Sequence, residues 1–263
     1  MDLRAMFSLI PLLLLGLCCA DEDVVTIDNT LFTDLLPIGS RDSLLEGDVL
    51  IPKTRNAMKC LNKKYSCLWQ KSANGLVEVP FLISKKYSEF LILHTDNGER
   101  STIVNAMKGF EQTTCIRFVP HRRERAYLSI EPRDGCFSLL GRIGDKQVVS
   151  LHQLGCVDNS IVQHELLHAL GFYHEHTRSD RDKYIKIHWD NVEPFFKINF
   201  KKKDNDDLNT KYDYSSVMHY ERNAFGKNRK ETITPIPDAS VAIGQRVGMS
   251  KIDILRVKRL YKC

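Results

Sequence analysis

Residues 164–174 read His-Glu-Leu-Leu-His-Ala-Leu-Gly-Phe-Tyr-His, and no other stretch restricts the chain as tightly. His164 and His168 stand four residues apart. On a helix that spacing places both imidazoles on one face, close enough to share a metal ion. Glu165 between them is placed to serve a metal-bound water rather than the metal. The motif then extends to Gly171 and His174. A fixed glycine and a fixed histidine at those two places have a joint chance of roughly 0.002 from this chain's composition, which makes the long form far more specific than the short one. The glycine has a physical task. A helix continuing past Leu170 would carry His174 away from the metal, whereas a glycine at positive φ ends the helix and swings the chain back. Three protein ligands leave zinc an open position for water, the mark of a catalytic rather than a structural site. Glu165 is then the base that takes the water's proton and returns it to a leaving amine.

The surrounding chain suits a secreted enzyme. Met1–Ala20 carries one early basic residue, Arg4, then the apolar run Pro11–Leu15, and closes on small residues. That pattern predicts a signal peptide, too short to serve as a membrane span. Cys18 and Cys19 leave with it. Six cysteines remain, Cys60, Cys67, Cys115, Cys136, Cys156 and Cys263, an even set that predicts three disulfides without fixing their pairing. Charge divides the chain. Residues 1–55 hold four Lys/Arg against nine Asp/Glu, and the remainder holds 34 against 24. An acidic leader therefore precedes a basic body. Lys201-Lys202-Lys203 and the Arg122-Arg123-Arg125 cluster carry no nucleic-acid motif, so they read as solvated surface with some electrostatic steering.

Periodicity predicts a strand over 77–83 and a helix over 101–113 with Ile103, Ala106, Met107 and Phe110 on one face. Three short strands follow at 115–119, 126–130 and 147–151. A central helix over 158–170 is capped by Asp158 or Ser160 and stopped by Gly171. A long polar stretch with little periodicity comes next. The last helix begins near Ser250, where Ser250 and Asp253 can form a capping box. The expected class is α+β in two lobes: an N-terminal twisted sheet with two helices, then a mostly irregular C-terminal lobe with a terminal helix.

Downstream stands Ser216-Val217-Met218-His219-Tyr220. The long zinc motif with a later methionine turn resembles the metzincins. His174-Glu175 and Met218-His219-Tyr220 narrow the resemblance to the astacin family of zinc endopeptidases. Thr114–Phe118, Thr177–Asp182, Tyr212–Ser216 and Ile243–Arg246 also match family patterns, so the resemblance covers nearly the whole chain. It implies that Met218 lies beneath the zinc site. Tyr220 becomes a fifth zinc ligand that can swing away to stabilise the oxyanion. The family's disulfides map to Cys115–Cys263 and Cys136–Cys156, which leaves Cys60 with Cys67. That extra pair is similar to hatching enzymes (choriolytic proteases of the low choriolytic type) and nephrosin-like relatives. Family leaders carry a Phe-x-Gly-Asp segment whose aspartate occupies the zinc site. Leu45-Glu46-Gly47-Asp48 fits with leucine in place of phenylalanine, making Asp48 the inhibitory ligand. His176 stands where glutamine is more usual in the family and reads as a tolerated neighbour.

The resemblance further implies residues 1–20 as signal peptide, 21–55 as activation propeptide and 56–263 as catalytic domain. A trypsin-like protease would cut between Arg55 and Asn56, and the new N-terminus would reach Glu175. The expected protein is a secreted zymogen stored in granules, a monomeric zinc endopeptidase with one Zn2+ per chain. Protein substrates are its partners, egg-envelope glycoproteins among them; nucleic acid and membrane are not. A tissue-specific secreted protease outside hatching is the alternative.

Overall fold

A computed structural model describes residues 44–50, 67–87, 98–204 and 207–263. The expected signal peptide over 1–20, most of the acidic leader, Arg55, Asn56 and Cys60 lie outside the described residues.

The N-terminal lobe is built on one seven-stranded sheet. Its strands are β1 (Leu44–Leu45), β2 (Val49–Leu50), β3 (Val77–Ile83), β4 (Ile116–Pro120), β5 (Tyr127–Glu131), β6 (Cys136–Ser138) and β7 (Lys146–Leu151), in the order β1-β2-β6-β7-β5-β3-β4. The inner pairs β4–β3, β3–β5 and β5–β7 are parallel. Parallel strands are covered on both faces and read as apolar runs, which explains the Val77, Val79, Ile116, Leu128, Ile130 and Val149 core. Pro80 has no N–H for a ladder. It sits where β3 pairs with β4 on one side, and pairing with β5 begins only at Phe81. β6 turns back antiparallel to β7, and β2 adds to it in parallel through Val49 and Ser138. The leader thus contributes strands to the body's sheet.

Helix α1 (Glu99–Thr113) starts two residues before the sequence expectation and buries Ile103, Ala106, Met107 and Phe110, one stripe at helical spacing. Phe110 meets Phe118 of β4 edge-on, with ring centroids 5.7 Å apart. Helix α2 (Asn159–Ala169) is buried along almost its entire length, which is why its sequence is apolar or ligand-bearing all round. Asp158 caps it by accepting the N–H of Ser160, and Gly171 at φ +104° turns the chain off its end.

Beyond α2 the chain forms short 3-10 turns and a two-stranded antiparallel sheet, β8 (Ile185–Ile187) with β9 (Ile233–Pro235). A second apolar cluster, with Phe200, Tyr212, Tyr220 and Ile233, fills this lobe. Buried arginines bind its irregular backbone: Arg181 donates to the carbonyls of His176 and Phe200, each at 2.9 Å. Helix α3 (Lys251–Tyr261) carries the capping box expected from Ser250 and Asp253. Disulfides join Cys115 to Cys263 and Cys136 to Cys156, as the resemblance implied. Cys67 is also disulfide-bonded.

Asp253 does more than cap. One carboxylate oxygen accepts Ser216 Oγ–H at 2.6 Å, and the other accepts Val217 N–H at 3.0 Å and Ser250 N–H at 2.9 Å. It ties α3 to the methionine turn. Asp253→Ala leaves these buried donors without an acceptor and is expected to cost about 3 kcal/mol, read as a lowered urea midpoint; an unchanged midpoint would refute this role.

Candidate active site

The site is assembled from three places in the chain. α2 presents His164 and His168 one turn apart. The turn at Gly171 returns the backbone, so that His174 completes the set. His164 Nε2 lies 3.2 Å from the Nε2 atoms of both His168 and His174. The leader adds Asp48, with Oδ2 3.0 Å from His164 Nε2 and 3.1 Å from His174 Nε2, and Oδ1 3.4 Å from His168 Nε2. All four residues are buried, and their ligand atoms lie within 4.8 Å of one another.

The other ring nitrogens define the tautomers. His164 Nδ1–H donates to Val217 O at 2.8 Å, and His168 Nδ1–H to Phe172 O at 2.7 Å. His174 Nδ1–H donates to Glu46 Oε2 at 2.7 Å. With Nδ1 donating outward, each Nε2 faces the cluster, where a shared cation can take its lone pair. Separations of 3.0–3.4 Å match the edge of about 3.3 Å expected for a tetrahedron with zinc–nitrogen bonds of about 2.0 Å. The residues fit zinc in donor type, number and spacing.

Electrostatics agree. Burial pushes the His164 imidazole down to about 3. Burial also opposes charge on His174, but the carboxylates of Asp48 and Glu46 prevail and raise it to about 9. Burial opposes the charge of Asp48, yet the His174 and His168 charges and its close contacts with the His164 and His168 rings hold its carboxyl well below the usual range. The cluster is built around one positive charge.

Glu165 is wholly buried, and neither carboxylate oxygen has a hydrogen-bond partner among the described residues. Burial, then the nearby Asp48 charge, push its carboxyl well above the ordinary value. An orphaned buried carboxylate is costly and marks a group kept for chemistry. Tyr220 donates its hydroxyl to the carbonyl of Glu46. Burial, then the Asp48 and Glu46 charges, raise its phenol.

Met218 is buried in the main core, and its carbonyl accepts Glu175 N–H at 3.0 Å. The methionine turn therefore holds the first histidine through Val217 and the segment after the third through Met218. Glu175 is clamped by Arg256, whose Nη1 and Nη2 lie 2.5 and 2.8 Å from its oxygens, and by Asp213 N–H at 2.8 Å. A cavity of about 190 Å3 opens beside it, lined in part by Gly171, His174, Arg178 and Asp207.

His176 is not among the converging ligands. Its Nε2–H donates to Asn199 O at 3.0 Å, and its ring stacks on Tyr220 with centroids 3.7 Å apart. Lys203 departs from its reading as solvated surface: its ammonium lies 3.3 Å from Glu46 Oε1, in a part-buried ion pair. Sequence reasoning assigned no role to Glu46, Asn199, Lys203 or Arg256. A motif x position, an amide in an aperiodic stretch and isolated charges carry no periodic signal; only the contacts distinguish them.

The model of the Astacin peptidase family matches residues 80–262 of the chain. The low choriolytic enzyme of Oryzias latipes is 53% identical over 279 aligned residues, covering 100% of each protein. High choriolytic enzyme 1 of the same fish is 50% identical over 221 residues, 84% of this chain and 78% of that protein. The solved structure of that enzyme, described as a hatching enzyme zinc-protease, superposes with a TM-score of 0.72 at 50% identity and covers 79% of this chain and all of the other.

His219 supports the same turn. Its Nδ1–H donates to Tyr220 O at 2.6 Å, and Nε2 accepts from Tyr212 OH at 2.8 Å. Burial pushes this imidazole down from 6.5 to about 4. The unfolded chain therefore binds this proton before the folded one does. The stability contributed by neutral His219 is complete above pH 6.5 and is lost as the pH falls toward 4, by up to about 3 kcal/mol. Urea unfolding of the zinc-loaded protein across that window is expected to show the slope, and His219→Gln to reduce it, the other buried histidines keeping the rest.

Proposed function

The chain belongs to the astacin family of zinc metalloendopeptidases, and on that premise we propose that it is a secreted, hatching-enzyme-like protease made as a zymogen. The observation that carries the latency is Asp48, a leader carboxylate seated against all three histidines. In that reading residues 1–20 are the signal peptide and 21–55 the propeptide. A trypsin-like protease cuts between Arg55 and Asn56 and releases the catalytic domain, 56–263. No described helix is long and apolar enough to cross a membrane.

His164, His168 and His174 would hold zinc, which when bound would supply Lewis-acid polarisation of the scissile carbonyl and a lowered pKa for water. Glu165, with both oxygens unpartnered among the described residues, takes the attacking water's proton and returns it to the leaving amine. Tyr220, which gives its hydroxyl to Glu46 O in the intact chain, regains a donor when the leader departs and aims it at the developing oxyanion. Met218 floors the site, and the cavity beside Glu175 receives the new N-terminus. Arg246, lining a smaller cavity with Asp48, His164 and Tyr220, offers positive charge to acidic substrate residues. By likeness to the choriolytic enzymes, the substrates are egg-envelope glycoproteins, and the zymogen is stored in secretory granules and acts as a monomer.

Casein hydrolysis before and after limited trypsin treatment tests the reading. Activity is expected only after the cut at Arg55–Asn56. A chelator should abolish it, and Glu165→Gln should lower it by about 10^2- to 10^4-fold. Correctly trimmed, zinc-loaded protein that leaves casein and a panel of other proteins intact would overturn it.

A further inference from the structure

Tyr220 is ringed by aromatic groups, but among the described residues only one lies flat against it. The His176 imidazole stacks on the phenol with centroids 3.7 Å apart and planes 26° from parallel. His174, Phe200 and Phe225 meet the same ring at 61°, 81° and 49°, with centroids 4.6, 5.8 and 5.6 Å away. His176 is itself fixed. Its Nε2–H donates to Asn199 O at 3.0 Å, the Phe200 ring packs against it with centroids 5.5 Å apart, and its carbonyl accepts from Arg181 at 2.9 Å. Arg181 holds the carbonyl of Phe200 at the same distance, 2.9 Å. All of these partners belong to the body of the chain, so departure of the leader leaves the imidazole where it is.

The other ring nitrogen, Nδ1, is buried and has no hydrogen-bond partner among the described residues. A buried polar atom left unpaired is costly, so a side chain kept only to fill this space would do better without it. Phenylalanine would offer a flat face without the anchoring donor, and glutamine the donor without the face. Imidazole offers both. A flat contact also selects among the motions open to Tyr220. Sliding a ring within its own plane keeps a stacked pair in contact, whereas tipping it drives one ring into the other. In the intact chain the Tyr220 hydroxyl is held by Glu46 O. Once that carbonyl is gone, the imidazole face lets the hydroxyl move in the plane of the phenol and resists its tipping out of that plane.

The geometry points to His176 as a positioning residue for Tyr220: its anchored face sets the plane in which the phenol moves and so aims the hydroxyl at the developing oxyanion. The assignment rests on the protease reading given above and deepens the role of Tyr220 in it. His176 acts only through Tyr220 and is not one of the converging ligands. It is therefore more than a tolerated neighbour of the histidine motif.

The test uses trimmed, zinc-loaded protein and a fluorogenic peptide, with wild type, His176→Gln, Tyr220→Phe and the double variant compared. His176→Gln is expected to lower kcat by about two- to tenfold, the scale of one stacked aromatic pair, and to leave KM unchanged. With Tyr220→Phe already in place it should lower kcat no further, because no hydroxyl is left to aim. His176→Phe, which keeps a flat face, should hold kcat within about twofold of the wild type. A loss of the same size with and without the Tyr220 hydroxyl overturns the proposal, as does an unchanged kcat in His176→Gln. A second readout needs no turnover. In the trimmed protein loaded with copper(II), a phenolate ligand gives a charge-transfer band in the visible, which Tyr220→Phe should remove. His176→Gln is expected to weaken or shift that band, and a spectrum identical to the wild type contradicts the proposal. If no chain cleaves any peptide, the protease reading fails by itself, and the copper spectra alone decide whether His176 positions Tyr220.

Discussion

Three imidazole nitrogens directed at one point are the constraint on which this structure depends. Without a cation their lone pairs repel, and with one they bind it in a tetrahedral frame. Everything nearby serves to hold that arrangement. α2 supplies two nitrogens from one face, Gly171 breaks the helix so that a third can join, and the methionine turn accepts His164 Nδ1–H through Val217 O. The sheet of the first lobe and the buried arginines of the second act as abutments on either side.

The leader exploits the same demand for charge. Asp48 places a carboxylate against the cluster, and Glu46 places a second one on the far nitrogen of His174. The segment is further anchored by β2, which joins the sheet through Val49 and Ser138. Gly47 lies between the two acids at φ +80°, and a Cβ there would fall 2.6 Å from the Phe225 ring. A glycine is therefore required between them both by the backbone and by the aromatic wall. The hold of this segment on the histidine cluster is a matter of charge, strand pairing and steric fit acting together.

Much of this is legible in the sequence, for identifiable reasons. The histidine motif carries its geometry in its spacing, because helical periodicity and one helix-ending glycine suffice to place three ligands. The core strands are apolar runs, and Ser250 with Asp253 has the form of a capping box. The second lobe is not legible in the same way. Its order comes from side chains such as Arg181, Arg178 and Arg256 that bind carbonyls and carboxylates far away in the chain, and such contacts leave no period. β8 and β9 lie 46 or more residues apart at Ile187 and Ile233, so neither announces the other. Lys203 reads as one of three solvated lysines; only the buried Glu46 opposite it shows otherwise.

The geometry implies one metal ion among His164, His168 and His174, with Asp48 closing its coordination in the intact chain. The visible absorption of the cobalt-substituted protein tests it most directly, because those bands report the ligand set. One cobalt per chain is expected, and Asp48→Ala is expected to shift the spectrum of the uncut chain away from that of the uncut wild type. Identical spectra for the uncut wild type and uncut Asp48→Ala would contradict it.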